Sequence, residues 1–371
     1  MSFPTYSSPT SATLRSAGPA PYPVVIGRGL TEQAGRMLGE HALRVAIVHP
    51  PKLAGAAHRI AGALERTGRQ VLPLVVPPGE AAKDAGVLVY LWSQLGESGF
   101  TGSDAVVALG GGATADLAGF LAATWQGGIG LVLAPTTPAG MIRAGVGGRA
   151  GLNVPQGKNL AGVTHPPLGA LCDLDLLTGL PPADHTSSLA EAVKAGLIGD
   201  PTLLDLIESD PGAVTDPSGE RTGELIERAL RAQVAVASGE LPGAGASAGD
   251  TRVFLDYGHT LAHAVEYTER YRVRHGHAVS VGMVFAAELA REAGRLDATE
   301  VQRHRSVLAA LGLPTSHPRH AWERLRAAFA ADGRTRGTRL RFVVLDAPGR
   351  PALIEDPDPG LLEAAYSRVS G

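Results

Sequence analysis

The sequence predicts an α/β N-terminal nucleotide-binding domain followed by a mainly α-helical C-terminal domain. Up to about residue 178, short apolar runs alternate with amphipathic helical patterns, which is typical of a parallel sheet. After about residue 180, apolar residues recur at three- and four-residue spacing, the pattern of packed helices. A chain of 371 residues is also too long for one compact core of ordinary size. We therefore expect domains at 22–178 and 179–371.

Within the first domain, five apolar runs are the expected strands: PVVIG, RVAIVHP, QVLPLVV, AVVALGGG and GLVLAPTT. Residues 83–97 form an amphipathic helical pattern between two of them. In the second domain the expected helices are SLAEAVKAGLI, LIERALRAQVAVA, TLAHAVEY and AVSVGMVFAAELAREAG. LPGAGASAGD is expected to be a loop, and RLRFVVL (339–345) a lone late strand. Residues 1–21, rich in Ser, Thr, Pro and Ala, are expected to form a flexible tail.

Composition excludes several classes of function. The net charge of −3 leaves no basic stripe for nucleic acid. No apolar run approaches the roughly 20 residues of a membrane span, and the N-terminus lacks the apolar region of a signal peptide, so we expect a cytoplasmic protein. The single cysteine, Cys172, excludes an intrachain disulfide and lies in an apolar stretch, where we expect a buried, inert thiol.

A glycine triplet, Gly110, Gly111 and Gly112, follows a predicted strand and opens a predicted helix. Without side chains, these residues let the backbone approach a pyrophosphate, and the start of the helix supplies free N–H groups. The triplet does not match the G-x-G-x-x-G pattern. A plain strand-to-helix turn therefore stays open beside a nucleotide site.

Four histidines lie close together along the chain. His259 and His263 are four residues apart, on one face of a predicted helix, and His275 and His277 follow soon after. Glu191 lies on an earlier predicted helix. One carboxylate and two imidazoles form the ligand set of an open catalytic zinc site. The spacing alone leaves open which of the four histidines bind the metal.

A third stretch, PTTPAGMIRAGVGGRAGLNVPQGKN, is rich in glycine, basic, and ends in Lys158 and Asn159. Glycine backbone and nearby cations suit an anionic substrate group. An ordinary exposed loop is the alternative.

Together these stretches resemble the 3-dehydroquinate synthase family and its sugar phosphate cyclase relatives. The resemblance runs from about Tyr22 to Leu345. It is carried, in order, by YPVVIGRGL, PPGEAAK, GGGATADLAGF, APTT, GVGGRAGLNVPQGKN, LAEAVKAGLI, DYGHTLAHAVE, RHGHAVSVGM and DGRTRGTRLRFVVL.

The resemblance implies that NAD and one divalent metal ion, zinc or cobalt, act on a phosphorylated small-molecule substrate in a homodimeric enzyme. The positions matched to the NAD site are Glu80, Lys83, Gly110, Gly111, Gly112, Asp116, Thr136, Thr137 and Lys158. Those matched to the metal ligands are Glu191, His259 and His275. Retained active-site polar residues are Lys158, Asn159, Lys194, Arg252 and His263. In the implied reaction a ring hydroxyl is oxidised, phosphate is eliminated, the ketone is reduced again, and an intramolecular aldol step closes the carbocycle.

Several positions depart from the pattern of that family. Arg149, Arg231 and Arg334 stand where lysines are usual, and arginine keeps the charge but changes the geometry of the donors. Other departures are Arg143 for an acid, Gly127 for an arginine, Asp256 for an asparagine and His277 for a glutamate. We include Arg149, Arg231, Asp256 and Arg334 among the expected catalytic residues.

The departures bear on which substrate the enzyme takes. Asp256 and the HGHAV run are similar to the sedoheptulose 7-phosphate cyclases (2-epi-5-epi-valiolone synthase type) of specialised metabolism. Arg252 and Arg231 favour the carboxylate-bearing substrate of the dehydroquinate reaction, because buried cations without an anion are costly. We prefer the dehydroquinate-like reaction.

Two other classes stay open: an NAD-dependent metal alcohol dehydrogenase-like enzyme and an inactive homologue. The phosphate-contact motifs argue against the dehydrogenase. The retention of all three matched metal ligands together with Lys158 and Lys194 argues against an inactive homologue.

Overall fold

The computed structural model describes residues 11–155, 157–240, 251–329 and 339–371. These residues fall into two compact units. The first runs to Pro155 and resumes over Asn159–Leu180, and the second contains Lys158 and Pro181–Gly371. The division thus falls at Leu180 and Pro181, slightly after the expected 178/179 boundary. Residues 1–10 of the expected tail, the expected loop at 241–250 and Arg334 lie outside the described residues.

Strands and helices alternate in the first part of the chain. The strands are β1 (Ala12–Arg15), β2 (Pro23–Gly27), β3 (Arg44–His49), β4 (Gln70–Val75), β5 (Ala105–Gly110), β6 (Gly130–Pro135), β7 (Arg149–Val154), β8 (Gly157–Thr164) and β9 (Gly169–Asp173). The helices are α1 (Ala54–Glu65), α2 (Ala85–Glu97), α3 (Gly112–Thr124) and α4 (Pro138–Arg143). Short 3-10 helices cover Thr31–Arg36, Pro51–Leu53, Gly79–Lys83, Ala144–Val146 and Leu174–Gly179.

Seven of these strands form one sheet in the order β1-β2-β9-β6-β5-β3-β4. All neighbouring pairs are parallel except β1 and β2, which are antiparallel. β7 and β8 form a separate two-stranded sheet. The predicted parallel sheet is therefore confirmed, and all five predicted strands lie in it.

The sheet is buried on both faces, which explains its continuous apolar strands. Successive residues of a strand point to opposite faces. Val45 and Ile47 of β3 accordingly contribute to one hydrophobic core, and Ala46 and Val48 contribute to a second. Helix α1 packs into the first of these cores and α2 and α3 pack into the second.

The sequence-based prediction was wrong for part of the tail. Residues 12–15 are not a flexible tail, because they form β1 in register with β2, from Ala12 opposite Ile26 to Arg15 opposite Pro23. The turn that follows is closed by hydrogen bonds between Ser16 and Tyr22. This pairing satisfies the backbone groups of β2, which would otherwise be an edge strand.

The second unit is mainly helical. Its helices are α5 (Pro182–Ser188), α6 (Ala190–Ile198), α7 (Thr202–Ser209), α8 (Pro211–Thr215), α9 (Glu220–Ser238), α10 (His259–Thr268), α11 (His275–Glu292), α12 (Ala298–Ala310), α13 (Trp322–Ala328) and α14 (Pro359–Val369). Short 3-10 helices cover Arg252–Asp256 and Arg319–Ala321. Of the helices in the described ranges, none is both long and apolar enough to cross a membrane.

The late strand is not alone, contrary to the prediction. β10 (Arg341–Ala347) pairs antiparallel with β11 (Arg350–Glu355). A strand needs partners for its backbone groups, and a close hairpin supplies them here. The second strand, RPALIE, begins with a charge and a proline, which makes its strand pattern weak.

A buried histidine stabilises the helical unit only in its neutral form. His304 of α12 is 1% exposed, and its Nδ1 donates to the Glu300 carbonyl at 2.7 Å. Its Nε2 lies 3.0 Å from the Tyr257 hydroxyl, which donates to it. Burial lowers the pKa of His304 to about 4.

We predict that His304 makes the unit less stable in acid. The unfolded chain binds a proton below the ordinary histidine pKa of about 6.5, whereas the folded chain binds it only near 4. The free energy of unfolding should therefore fall by about 3 kcal/mol as the pH drops from 7 to 4, through this residue alone. Urea unfolding of the wild type and of His304→Gln at several pH values checks this. The stability advantage of the wild type should shrink as the pH falls, and equal pH dependence of the two proteins would contradict the prediction.

Candidate metal and nucleotide sites

Three side chains from three helices of the second unit converge on one point. Glu191 lies in the first turn of α6, His259 begins α10, and His275 begins α11. One ligand atom from each lies within 4.8 Å of the other two. Oε1 of Glu191 is 3.4 Å from Nε2 of His259 and 3.8 Å from Nε2 of His275. The structure thus brings together the three residues matched to the metal ligands.

Hydrogen bonds orient both imidazoles toward that point. Nδ1 of His259 donates to the Tyr257 carbonyl at 3.2 Å, and Nδ1 of His275 donates to the Glu266 carboxylate at 3.2 Å. Each bond places the ring proton on Nδ1 and turns Nε2 toward Glu191. Oε1 of Glu191 and Nε2 of His275 are buried and have no hydrogen-bond partner. These two atoms, with Nε2 of His259 beside them, form a group of two imidazole nitrogens and one carboxylate oxygen that fits a divalent cation.

The Glu191 carboxylate is fully buried yet ionised. Its Oε2 accepts from Nζ of Lys194 at 2.6 Å and from Nε2 of Gln233 at 3.2 Å. Burial alone would raise the pKa of Glu191, but the Lys194 cation and the two histidines outweigh it and hold the pKa well below its ordinary value. The carboxylate is therefore available as a negatively charged ligand.

Close backbone contacts at glycines lie beside the two histidines. Gly258, at the start of α10, has a left-handed φ of +77°, and a Cβ on Gly282 of α11 would collide with its carbonyl oxygen. A Cβ on Gly276 would likewise collide with the Ser187 carbonyl oxygen. His259 adjoins Gly258 and His275 adjoins Gly276, so these contacts set the positions of both rings.

Of the other two histidines, His263 lies beside the group. Its ring centroid is 5.9 Å from that of His259, one turn earlier on α10. His277 is half-buried on α11, where burial and then Arg274 lower the pKa of its ring. The structure thus distinguishes the four histidines: His259 and His275 belong to the converging group with Glu191, and His263 and His277 do not.

Glu266 is a member of this site that the sequence reasoning missed. It is 2% exposed, and its Oε1 accepts from Nζ of Lys158 at 2.7 Å. His259, His263 and Glu266 are spaced i, i+4, i+7, which places them on one face of α10. That spacing is the signal that could have found it.

The glycine triplet lies at the carboxyl end of β5 in the first unit. A Cβ on Gly110 would meet Oγ1 of Thr114 at 2.5 Å, whereas a Cβ on Gly112 would meet nothing within 4 Å. The open space thus adjoins the first N–H groups of α3, where an anion binds favourably. Thr136 and Thr137 follow β6, the neighbouring parallel strand; Thr136 is buried, and Thr137 caps α4 by accepting from the Gly140 N–H at 3.1 Å.

A buried lysine organises the remaining residues matched to the nucleotide site. Lys83 is 1% exposed; its Nζ lies 2.6 Å from Oδ2 of Asp116 and also donates to Oδ1 of Asn159. Glu80 lies 3.9 Å from the same Nζ and accepts from Nδ2 of Asn153 at 2.7 Å. Asn159, expected near the substrate, therefore joins the Lys83 cluster, although the preceding Lys158 joins Glu266.

The other expected catalytic residues are placed as follows. Arg149 is exposed on β7, and Arg231 is half-exposed on α9 with its guanidinium bonded to Glu227 at 2.7 Å. Arg252 and Asp256 are half-buried in the 3-10 helix just before His259.

The buried thiol predicted for Cys172 is confirmed, within β9.

Comparison with known proteins covers almost the whole chain. A family model described as 3-dehydroquinate synthase N-terminal matches residues 73–187, and one described as 3-dehydroquinate synthase C-terminal matches residues 188–335. A 3-dehydroquinate synthase of Thermobifida fusca (strain YX) is 50% identical over 351 residues, which are 95% of this chain and 94% of that protein.

Two solved structures are similar in fold. The first is the 2-epi-5-epi-valiolone synthase ValA from Streptomyces hygroscopicus subsp. jinggangensis 5008, with NAD+ and Zn2+ bound. It has a TM-score of 0.83 and 25% identity, and the match covers 96% of this chain and 98% of that one. The second is a 2-deoxy-scyllo-inosose synthase complexed with carbaglucose-6-phosphate, NAD+ and Co2+, with a TM-score of 0.82, 22% identity and coverage of 96% and 100%.

We predict that His259→Ala abolishes tight retention of a divalent metal ion, because it removes one of three converging ligands. Metal content per chain after gel filtration, measured with zinc and with cobalt, checks this. His277→Ala is the matched control and should retain the ion. Equal loss from both variants, or retention by both, would contradict the assignment of ligands.

We also predict that Gly282→Ala weakens metal binding and lowers the thermal unfolding midpoint, because the new methyl group displaces the Gly258 carbonyl and with it His259. The control is Gly55→Ala in α1, where a Cβ meets nothing within 4 Å. If Gly282→Ala leaves metal affinity unchanged, the glycine contact does not position the ligand.

Proposed function

Because this chain belongs to the 3-dehydroquinate synthase family, we propose that it is a 3-dehydroquinate synthase. In this reaction a phosphorylated seven-carbon keto acid loses phosphate and closes into a carbocycle, with NAD and one divalent metal ion, zinc or cobalt. We extend the proposal to a homodimer on the family resemblance alone.

The observation that carries the proposal is the set of candidate metal ligands, Glu191, His259 and His275, with two buried lysine side chains beside it. Lys194 is bonded to the ligand Glu191, and Lys158 is bonded to Glu266 beside the ligand His275. Two buried ammonium groups suit a substrate bearing a phosphate dianion. The match to the 3-dehydroquinate synthase family over residues 73–335 favours phosphate elimination over alcohol oxidation alone.

Each cofactor has a set of residues that fits it. Glu191, His259 and His275 would hold the metal ion, and Gly110–Gly112 with Asp116, Thr136 and Thr137 would hold NAD. When bound, the metal ion polarises a substrate oxygen, and NAD accepts a hydride and returns it.

The chain's own side chains then have separate tasks. The Nζ groups of Lys194 and Lys158 neutralise the phosphate and stabilise the negative charge that develops as it leaves. His263, the half-buried imidazole next to His259, is of the residue type that exchanges protons near neutral pH. Arg252 is half-buried just before His259, and we assign it to the substrate carboxylate.

The comparisons favour the keto acid over sedoheptulose 7-phosphate as the substrate. Identity to a 3-dehydroquinate synthase is 50%, whereas identity to the valiolone synthase is 25%. Asp256, the residue that resembles the valiolone type, lies in the same 3-10 helix as Arg252. Its carboxylate would oppose an anionic substrate, so the choice of substrate needs a direct test.

We predict release of inorganic phosphate from the seven-carbon keto acid phosphate, and none from sedoheptulose 7-phosphate, when the two are offered side by side with NAD and zinc or cobalt. Omission of NAD or removal of the metal should stop the release. Arg252→Gln should raise KM for the keto acid more than it lowers kcat, because it removes a binding contact. Release from sedoheptulose 7-phosphate alone would assign a valiolone-type cyclase, and no release from either would overturn the proposal.

A further inference from the structure

Glu266 is a buried carboxylate that contacts both Lys158 and His275 in the second unit. Its Oε1 lies 2.7 Å from Nζ of Lys158, and its Oε2 lies 3.2 Å from Nδ1 of His275. Only 2% of the residue is exposed. Each carboxylate oxygen is therefore committed to a different neighbour.

The bond to His275 settles which nitrogen of that ring faces Glu191. With Nζ of Lys158 bonded to its other oxygen, the Glu266 carboxylate accepts from His275, which places a ring proton on Nδ1. In the neutral ring that a metal ligand requires, Nε2 presents its lone pair on the side of Oε1 of Glu191, 3.8 Å away. A carboxylate behind a metal-binding imidazole fixes the tautomer and the orientation of the ring and raises its basicity.

An ammonium group lies directly against the buried Glu266 carboxylate. Nζ of Lys158, 2.7 Å from Oε1, supplies the opposite charge that a buried carboxylate needs. A buried carboxylate without such partners would be costly. Lys158, Glu266 and His275 thus form one hydrogen-bonded network with the carboxylate at its centre.

We propose that Glu266 is a positioning residue that holds His275 in the tautomer and orientation required of a metal ligand, and that its second oxygen holds Lys158 beside the site. The inference rests on the proposed metal site. The contact of Glu266 with the ligand group is through His275, so its effect on metal affinity can be measured in the absence of substrate.

The test measures dissociation constants for Co2+ and Zn2+ by competition with a chromophoric chelator, on the metal-stripped full-length protein. Glu266→Gln removes the charge while nearly keeping the size of the side chain, and it should weaken binding by about 10- to 100-fold. It should also alter the visible absorption of the bound Co2+. Glu269→Gln is the matched control on the same helix end, where the side chain is 35% exposed and lies 3.8 Å from Arg324; it should bind as the wild type does.

A second pair of variants covers the case in which Glu266→Gln folds poorly because the negative charge beside Lys158 is lost. Lys158→Met leaves Glu266 bonded to His275 and should keep the metal affinity within about threefold of the wild type, far short of the 10- to 100-fold loss typical when a carboxylate behind a ligand is removed. Lys158→Met combined with Glu266→Gln should bind clearly more weakly than Lys158→Met alone.

The measured affinities distinguish a failure of the Glu266 role from a failure of the metal site itself. Suppose that Glu266→Gln binds the metal as the wild type does, that the double variant binds it as Lys158→Met does, and that His259→Ala still loses it. The role of Glu266 would then be overturned, and the metal site would stand. If the wild type and His259→Ala bind Co2+ equally weakly, the metal site itself fails, and this inference fails with it.

Discussion

The burial of the Glu191 carboxylate is the constraint on which the rest of the helical unit depends. Every residue of α6 is buried, so an ionised side chain there must find its partners within the protein. Lys194, Gln233 and the imidazoles of His259 and His275 supply them from the same helix and from three others. Glycine contacts let those helices approach closely. The Tyr257 carbonyl and the Glu266 carboxylate orient the two imidazoles. One oxygen of Glu191 and one nitrogen of His275 remain without a hydrogen bond, which is what an ion-binding group requires.

Lysine side chains buried in each of the two units are paired with carboxylates. Lys83 is bonded to Asp116 in the first unit, and Lys158 to Glu266 in the second. Lys158 and Asn159 are consecutive, but their side chains join different clusters. Asn159 has a φ of +58°, a left-handed conformation that asparagine tolerates better than most residues. This local turn lets two neighbouring polar residues serve separate sites.

Sequence periodicity predicted the parts of the fold whose pattern is strong and local. The five predicted strands all lie in the sheet, and the four helical patterns after residue 180 are all helices. It missed β9, a central strand whose apolar run continues into LDLL without a turn residue, and β7 and β8, whose glycines hide their pattern. It also missed the pairing of β1 with β2 and of β10 with β11. Pairing is a non-local property, so a short strand is stabilised by its neighbour more than by its own composition.

The sequence by itself determined the chemical types available and the groupings that lie within a single element. The glycine triplet at the end of a strand and His259 with His263 on one helix face could be predicted, because spacing along one strand or helix dictates direction. The tertiary structure alone decided that Glu191 and His275 meet His259 while His277 does not, because these residues lie on different helices and only packing sets the distances between them. It also decided that Glu266 stands behind His275, since a hydrogen bond between side chains of two helices has no signature along the chain.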